Sequence, residues 1–173
     1  GVFGSGNQII QNGAADILGN ALAAGANVAF TLTSSFDTNF YWVTNWDDIA
    51  YISNDKDRIH RWDGSALVPF HIDLTSPGGT GDNVDRCKLM FIRKNRIILA
   101  GTVEDGTSCP RRIRFSNPNA PGTWDAADYV DAETDDEIVG GGFVGDEIIL
   151  FYKRSTWRVA YTGDSDAPFT QVK

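Results

Sequence analysis

Residues 147–157, with the sequence EIILFYKRSTW, decide the class of fold. An apolar and β-branched run is followed by a short polar turn at residues 153–155, and the chain then returns with Thr156 and Trp157. Short apolar runs bounded by turns are typical of β-strands, and two of them in succession predict an antiparallel hairpin. We expect residues 148–151 to form a central strand of a four-stranded antiparallel sheet.

The order of elements around this hairpin recurs along the chain. A turn with Asp, an aliphatic strand, a polar turn and a strand carrying Trp follow one another in residues 146–157 and again in residues 47–62. Residues 95–115 begin in the same way and end in Ile113-Arg114-Phe115. The three copies start about 50 residues apart, which is a plausible length for one blade of a β-propeller.

Short strands joined by short turns fill the chain after residue 26, where long helical periodicity is absent. This pattern is compatible with a sandwich, a barrel or a propeller. Because the repeat favours the propeller, the predicted fold is all-β. We expect propeller-like blades of four-stranded antiparallel sheets, in a complete or an incomplete propeller.

Individual residues indicate where strands end and which faces they present. Lys94-Asn95 is predicted to form a tight hairpin turn, and Pro69 predicts an edge strand or a bulge. Residues 111–116 alternate basic and apolar side chains, so one face of that strand should be cationic, and either exposed or paired with Asp residues. A flexible loop is predicted at residues 75–83, and residues 117–136 are predicted to be mostly loop.

The first 26 residues differ in composition from the rest. They are rich in Gly, Ala and Asn and contain no Trp, Tyr, Lys or Arg. We predict an N-terminal arm over residues 1–26, with a short helix at 14–24, that packs on another chain or on a further part of the same protein; propeller-like blades then occupy residues 27–173. The chain begins with Gly1, its single methionine is Met90, and its last residues read as a strand, so we interpret it as an excerpt of a longer protein.

Composition and charge exclude several classes of protein. The chain has 173 residues, of which 42% are hydrophobic, so a sizeable core is expected. Its formal net charge of -8 argues against a protein that mainly grips duplex nucleic acid, because phosphate contacts need clustered Lys and Arg. No run of apolar residues is long enough to predict a transmembrane helix, and no signal peptide is recognisable, so we expect no contact with a membrane.

Four segments resemble the propeller regions of tailed-bacteriophage virion proteins, such as tail hubs, nozzles and head-closure components. They are residues 57–65, 91–101, 114–124 and, with the best match, 147–157. The resemblance implies a structural, non-enzymatic component of the virion, placed in the tail or the head-to-tail connector. The resemblance further implies that such a component acts through protein–protein assembly, as a homo-oligomer in contact with portal, adaptor or tail proteins.

The resemblance also implies that the protein could line the DNA conduit of the virion, with passing contact to DNA. By analogy, an acidic lining would repel DNA and let it slide. Two alternatives stay open. The first is a propeller-type module that binds carbohydrate or a host receptor, and the second is a propeller enzyme that cleaves glycosides.

The sequence predicts no catalytic residue, no cofactor-binding residue and no metal ligand, and therefore no enzyme. His60 and His71 could form a metal pair or include a catalytic base, but we interpret them as a sheet-surface and a strand-edge residue. The acidic residues of 54–57 and 131–137 could hold calcium or pair as in glycosidases, but we interpret them as solvated loops. Gly140-Gly141-Gly142 is not followed by a helix or a Lys, so it predicts a bulge or close packing rather than a phosphate loop.

The remaining candidates are aromatic residues, cysteines and one turn. Packing between blades is favoured over a sugar-binding groove for Trp42, Trp46, Trp62, Trp124 and Trp157. Free thiols are favoured for Cys87 and Cys109, and a disulfide bridge between them is the alternative. Residues 116–124 are faintly similar to the Asp-box turn of sialidase propellers, although Pro118 stands where that turn has its Asp.

Overall fold

A computed structural model describes residues 8–10, 29–31, 41–76, 79, 81 and 83–173. These residues form strands and connections, without a helix, so the predicted all-β class is confirmed. The strands make three four-stranded antiparallel sheets and one two-stranded pair. The chain divides into two compact units, Gly1–Phe70 and His71–Lys173.

The first unit contains the two-stranded pair and one four-stranded sheet. Strands β1 (Gln8–Ile10) and β2 (Ala29–Thr31) pair with each other. The first sheet has its strands in chain order, namely β3 (Trp42–Trp46), β4 (Ile49–Ser53), β5 (His60–Trp62) and β6 (Leu67–Pro69). Pro69 therefore lies in an edge strand, as predicted, where its missing N–H costs no hydrogen bond to a neighbouring strand.

The second unit contains two four-stranded sheets, which also run in chain order. The middle sheet consists of β7 (Val84–Arg93), β8 (Arg96–Glu104), β9 (Thr107–Phe115) and β10 (Tyr129–Asp131). The last sheet consists of β11 (Ile138–Val144), β12 (Glu147–Tyr152), β13 (Thr156–Tyr161) and β14 (Phe169–Val172). Residues 148–151 lie in the central strand β12, so this prediction is confirmed.

The first hairpin of every four-stranded sheet has a two-residue turn. Asp47 and Asp48 have φ values of 48° and 60°, and Lys94 and Asn95 have 51° and 55°. Positive φ at both central residues gives the twist that matches two antiparallel strands. The turn between β11 and β12 begins with Gly145, at φ 59°. The predicted tight turn at Lys94-Asn95 is thus confirmed.

The core of the second unit is centred on β8. Ile97, Ile98, Leu99 and Ala100 have no exposed surface, which means that this strand is covered on both faces. A strand covered on both faces reads as a continuous apolar run rather than as an alternation. Full burial of one such aliphatic side chain is worth about 1.5–3 kcal/mol relative to exposure.

The prediction that residues 117–136 are mostly loop is confirmed, with one short strand as the exception. Tyr129–Asp131 forms β10 and pairs with β9, with Val130 opposite Ile113. This strand has three residues and lies among many Asp residues, so it has no apolar run that would reveal it. The helix predicted at residues 14–24 lies outside the described residues, as does part of the loop at 75–83.

The two cysteines lie on opposite sides of β8. Cys87 of β7 and Cys109 of β9 both face Thr102 across the ladder. Two strand spacings separate their Cα atoms by about 10 Å, which exceeds the reach of a disulfide of about 7 Å. Neither cysteine forms a disulfide, so the alternative of a bridge is wrong.

Candidate functional site

The middle and last sheets stack face to face within the second unit. The rings of Phe91 and Phe143 meet edge to face with their centroids 5.6 Å apart, and those of Phe115 and Phe169 meet at 5.2 Å. Gly141 lies under Leu89, and a Cβ atom there would be 3.1 Å from Leu89 Cδ1 and 2.9 Å from a carbonyl oxygen of its own sheet. Only glycine therefore fits at this position of the stack.

Arg93 fixes one end of the stack. Its guanidinium donates to both carboxylate oxygens of Glu147, at 2.6 and 3.1 Å, and to the carbonyl oxygen of Val159 at 3.0 Å. The hydrogen bond from Arg93 holds the pKa of Glu147 below its ordinary value. At the other end of β11, the Lys88 ammonium donates to the carbonyl oxygen of Ile138 at 2.9 Å. These charge-assisted bonds fix the register of one sheet on the other.

Hydrogen bonds from β12 and β14 fix the opposite end. The Tyr152 hydroxyl donates to Gln171 Oε1 at 2.6 Å, and Gln171 Nε2 donates to the carbonyl oxygens of Arg111 and Val130 at 3.1 and 2.9 Å. Burial raises the pKa of Tyr152, which favours the protonated hydroxyl that donates this hydrogen bond. Each end of the stack is thus held by polar groups, with apolar contact between them.

The last sheet has a second face, which points away from the middle sheet. The first hairpins of the two sheets can be aligned on their two-residue turns. In this alignment Leu89 and Phe91 of β7, which face the last sheet, are equivalent to Gly140 and Gly142 of β11. Likewise, Ile98 and Ala100 of β8 are equivalent to Ile149 and Phe151 of β12, which lie on that second face. We call this second face the outer face, and it consists of Gly140, Gly142, Val144, Ile149, Phe151, Thr156, Arg158, Ala160, Thr170 and Val172.

The residues of the outer face are equivalent in position to those of the stacking face of the middle sheet, but several of their side chains are exposed to solvent. Val144 is 67% exposed, Phe151 45% and Val172 40%. Two charged side chains accompany the face, because Arg158 lies on it and Glu147 pairs with Val144 at its rim. The charge of Arg158 adds to the effect of Arg93 in lowering the pKa of Glu147. Exposed apolar patches on folded proteins commonly mark sites of interaction. The outer face is therefore the candidate functional site.

The middle sheet carries a network of charges on the face opposite to the stack. Glu104 accepts hydrogen bonds from Arg112 at 3.0 Å and from Arg114 at 2.8 and 3.0 Å, and Thr102 adds a bond of 2.7 Å. Arg112 also binds Asp131 through two bonds of 2.9 Å. The cationic face predicted for residues 111–116 is thus paired, and Glu104 is the partner that the prediction did not name.

Burial and pairing act in opposite directions on the carboxylates of this network. Burial alone would raise the pKa of Glu104, but the hydrogen bonds of Arg114 and Thr102 and the charges of both arginines outweigh it and lower the pKa. The hydrogen bond from Arg112 lowers the pKa of Asp131. Both acids are therefore ionised at neutral pH and compensate two arginines. Removing one partner from such a network leaves an uncompensated buried charge, which is strongly destabilising.

The sequence candidates for a polar site are dispersed. His60 Nδ1 lies 2.8 Å from the carbonyl oxygen of Arg58, and His71 is exposed outside the strands. Within residues 131–137, four carboxylates face separate cations, which are the side chains of Arg112, Arg111, Arg154 and Lys153 for Asp131, Asp135, Asp136 and Glu137. Across the described part of the chain, no group of three His, Cys, Asp or Glu side chains could hold a metal ion.

Most tryptophans contribute to packing. Trp62, Trp124 and Trp157 are buried, whereas Trp42 and Trp46 are half-buried. In the turn at residues 116–124, the indole N–H of Trp124 donates to the carbonyl oxygen of Pro121 at 2.8 Å. This turn therefore closes around a buried ring. The residues that the structure describes contain no helix that is long and apolar enough to cross a membrane.

The glycines of β11 were visible as a signal in the sequence, but the outer face was not. The sequence does contain two small residues, Gly140 and Gly142, and a large one, Phe151, on the next strand. Only the strand register shows that these residues share one face. Comparisons with known proteins give no further guide: no protein-family model matches the chain, and no curated protein is similar enough to count as a match.

Proposed function

We propose that this chain is a structural, non-enzymatic protein of the β-propeller type that acts by assembling with other protein subunits. The observation that carries the proposal is the outer face, which repeats the positions of a buried stacking face while Val144 and Phe151 remain exposed. Sheets in folded proteins bury an apolar face against a further layer. The outer face is therefore the surface through which the protein assembles.

The propeller is supported by repetition. Each of the three four-stranded sheets runs in chain order and starts with a two-residue hairpin, and two successive sheets stack on each other. Radial repetition of such sheets is the architecture of propellers.

The virion assignment rests on the resemblance of residues 57–65, 91–101, 114–124 and 147–157 to propeller regions of tailed-phage virion proteins. On this basis the protein belongs to the tail or the head-to-tail connector. Its partners are further copies and portal, adaptor or tail proteins. The net charge of -8 suits a wall of the conduit that DNA passes without being held.

Electron microscopy with labelled antibodies tests the virion assignment. Antibodies raised against the purified chain are applied to intact tailed particles of the phage whose genome encodes it. We expect label at the neck or along the tail, and absence of label on intact and on opened particles would refute the assignment. Antibodies pre-absorbed with the chain are the control.

Enzyme assays test the structural role separately. The purified chain is offered a panel of glycosides, esters and phosphate esters, and we expect no turnover above that of the heat-unfolded chain. Turnover that is lost on replacing a single carboxylate, with the melting temperature unchanged, would establish an enzyme instead.

A further inference from the structure

We draw no further inference here: the strongest candidate, the cluster of Asn117, Asp125 and Asp128 in the connection between β9 and β10, is an acidic cluster whose carboxylates already face the Asn117 amide and, at Asp128, the Arg96 guanidinium, and nothing else in the described part of the chain points to a ligand there.

Discussion

The two faces of the middle sheet are stabilised by different interactions, although the same strand supplies both. In β9, Ile113 and Phe115 lie on the face that meets the last sheet, whereas Arg112 and Arg114 lie on the opposite face. The partners of the apolar face come from another sheet. The partners of the arginines, Glu104 and Asp131 among them, come from the middle sheet itself.

This difference separates two tasks. The apolar face stabilises the unit in proportion to the area it removes from water, and it selects the neighbouring sheet. The charge network on the opposite face, where Ile97 and Leu99 are also fully buried, contributes only while every buried charge keeps its partner, and it holds β8, β9 and β10 together. Mutations on the two faces should therefore differ in size, in pH dependence and in the step of assembly that they affect.

Truncating a buried side chain of the stacked face should have the largest effect on the free energy of unfolding. Trp157 of β13 is buried and its ring lies 5.9 Å from that of Tyr152. We expect Trp157→Ala to lower the free energy of unfolding by about 3–5 kcal/mol, because it leaves a large cavity. Urea unfolding followed by fluorescence or circular dichroism measures this. Phe151→Ala, at the exposed face of the same sheet, should cost less than about 1 kcal/mol, and equal losses would contradict the comparison.

Removing one partner from the charged face should come next. Glu104→Ala leaves Arg112 and Arg114 without their shared carboxylate, and the Arg114 side chain is only 3% exposed. We expect a loss of about 3 kcal/mol, mostly from the uncompensated buried charge. Glu133→Ala, at an exposed position nearby, is the matched control and should change the stability by less than about 0.5 kcal/mol. A mild effect of Glu104→Ala would mean that water compensates the arginines.

The charged face should also give the unit its sensitivity to acid. Because the folded-state pKa values of Glu104 and Asp131 are lowered, their contribution is present above the unfolded values and is lost as pH falls through the folded ones. The loss should begin below about pH 5. Other carboxylates titrate there too, so the unchanged chain is compared with Glu104→Gln in urea titrations from pH 7 to pH 3. We expect the difference in stability between the two to shrink as pH falls; a constant difference would refute the assignment.

Much of the fold could be predicted from local sequence, because turns and apolar runs are local signals. The hairpin at Lys94-Asn95 and the central strand at 148–151 follow from turn chemistry and β-branched runs. The short strand β10 could not be predicted, because its pairing with β9 depends on a partner that the loop brings back. The three copies starting near residues 47, 95 and 146 do correspond to the second strands of the three sheets.

The candidate site was less accessible to prediction than the fold. Alternation in residues 111–116 indicated a cationic face, but Glu104 became its partner only through the register between β8 and β9. For the outer face, register decides that Gly140 lies opposite Phe151 and that both point away from the middle sheet. A sequence shows which residues are small and large, whereas the pairing of strands decides which of them share a face.

The smallest effect is expected where a charge pair is exposed. Lys153 and Glu137 form an ion pair with 3.1 Å between nitrogen and oxygen, and both side chains are largely open to water. Solvent screening and the entropy of two long side chains offset most of the attraction, so Lys153→Ala should change the free energy of unfolding by less than about 0.5 kcal/mol. Urea unfolding at low and at high salt measures this, and the small effect should vanish at high salt. A loss as large as that of Glu104→Ala would show that burial is not what distinguishes the two pairs, and the contrast between the faces would then need another cause.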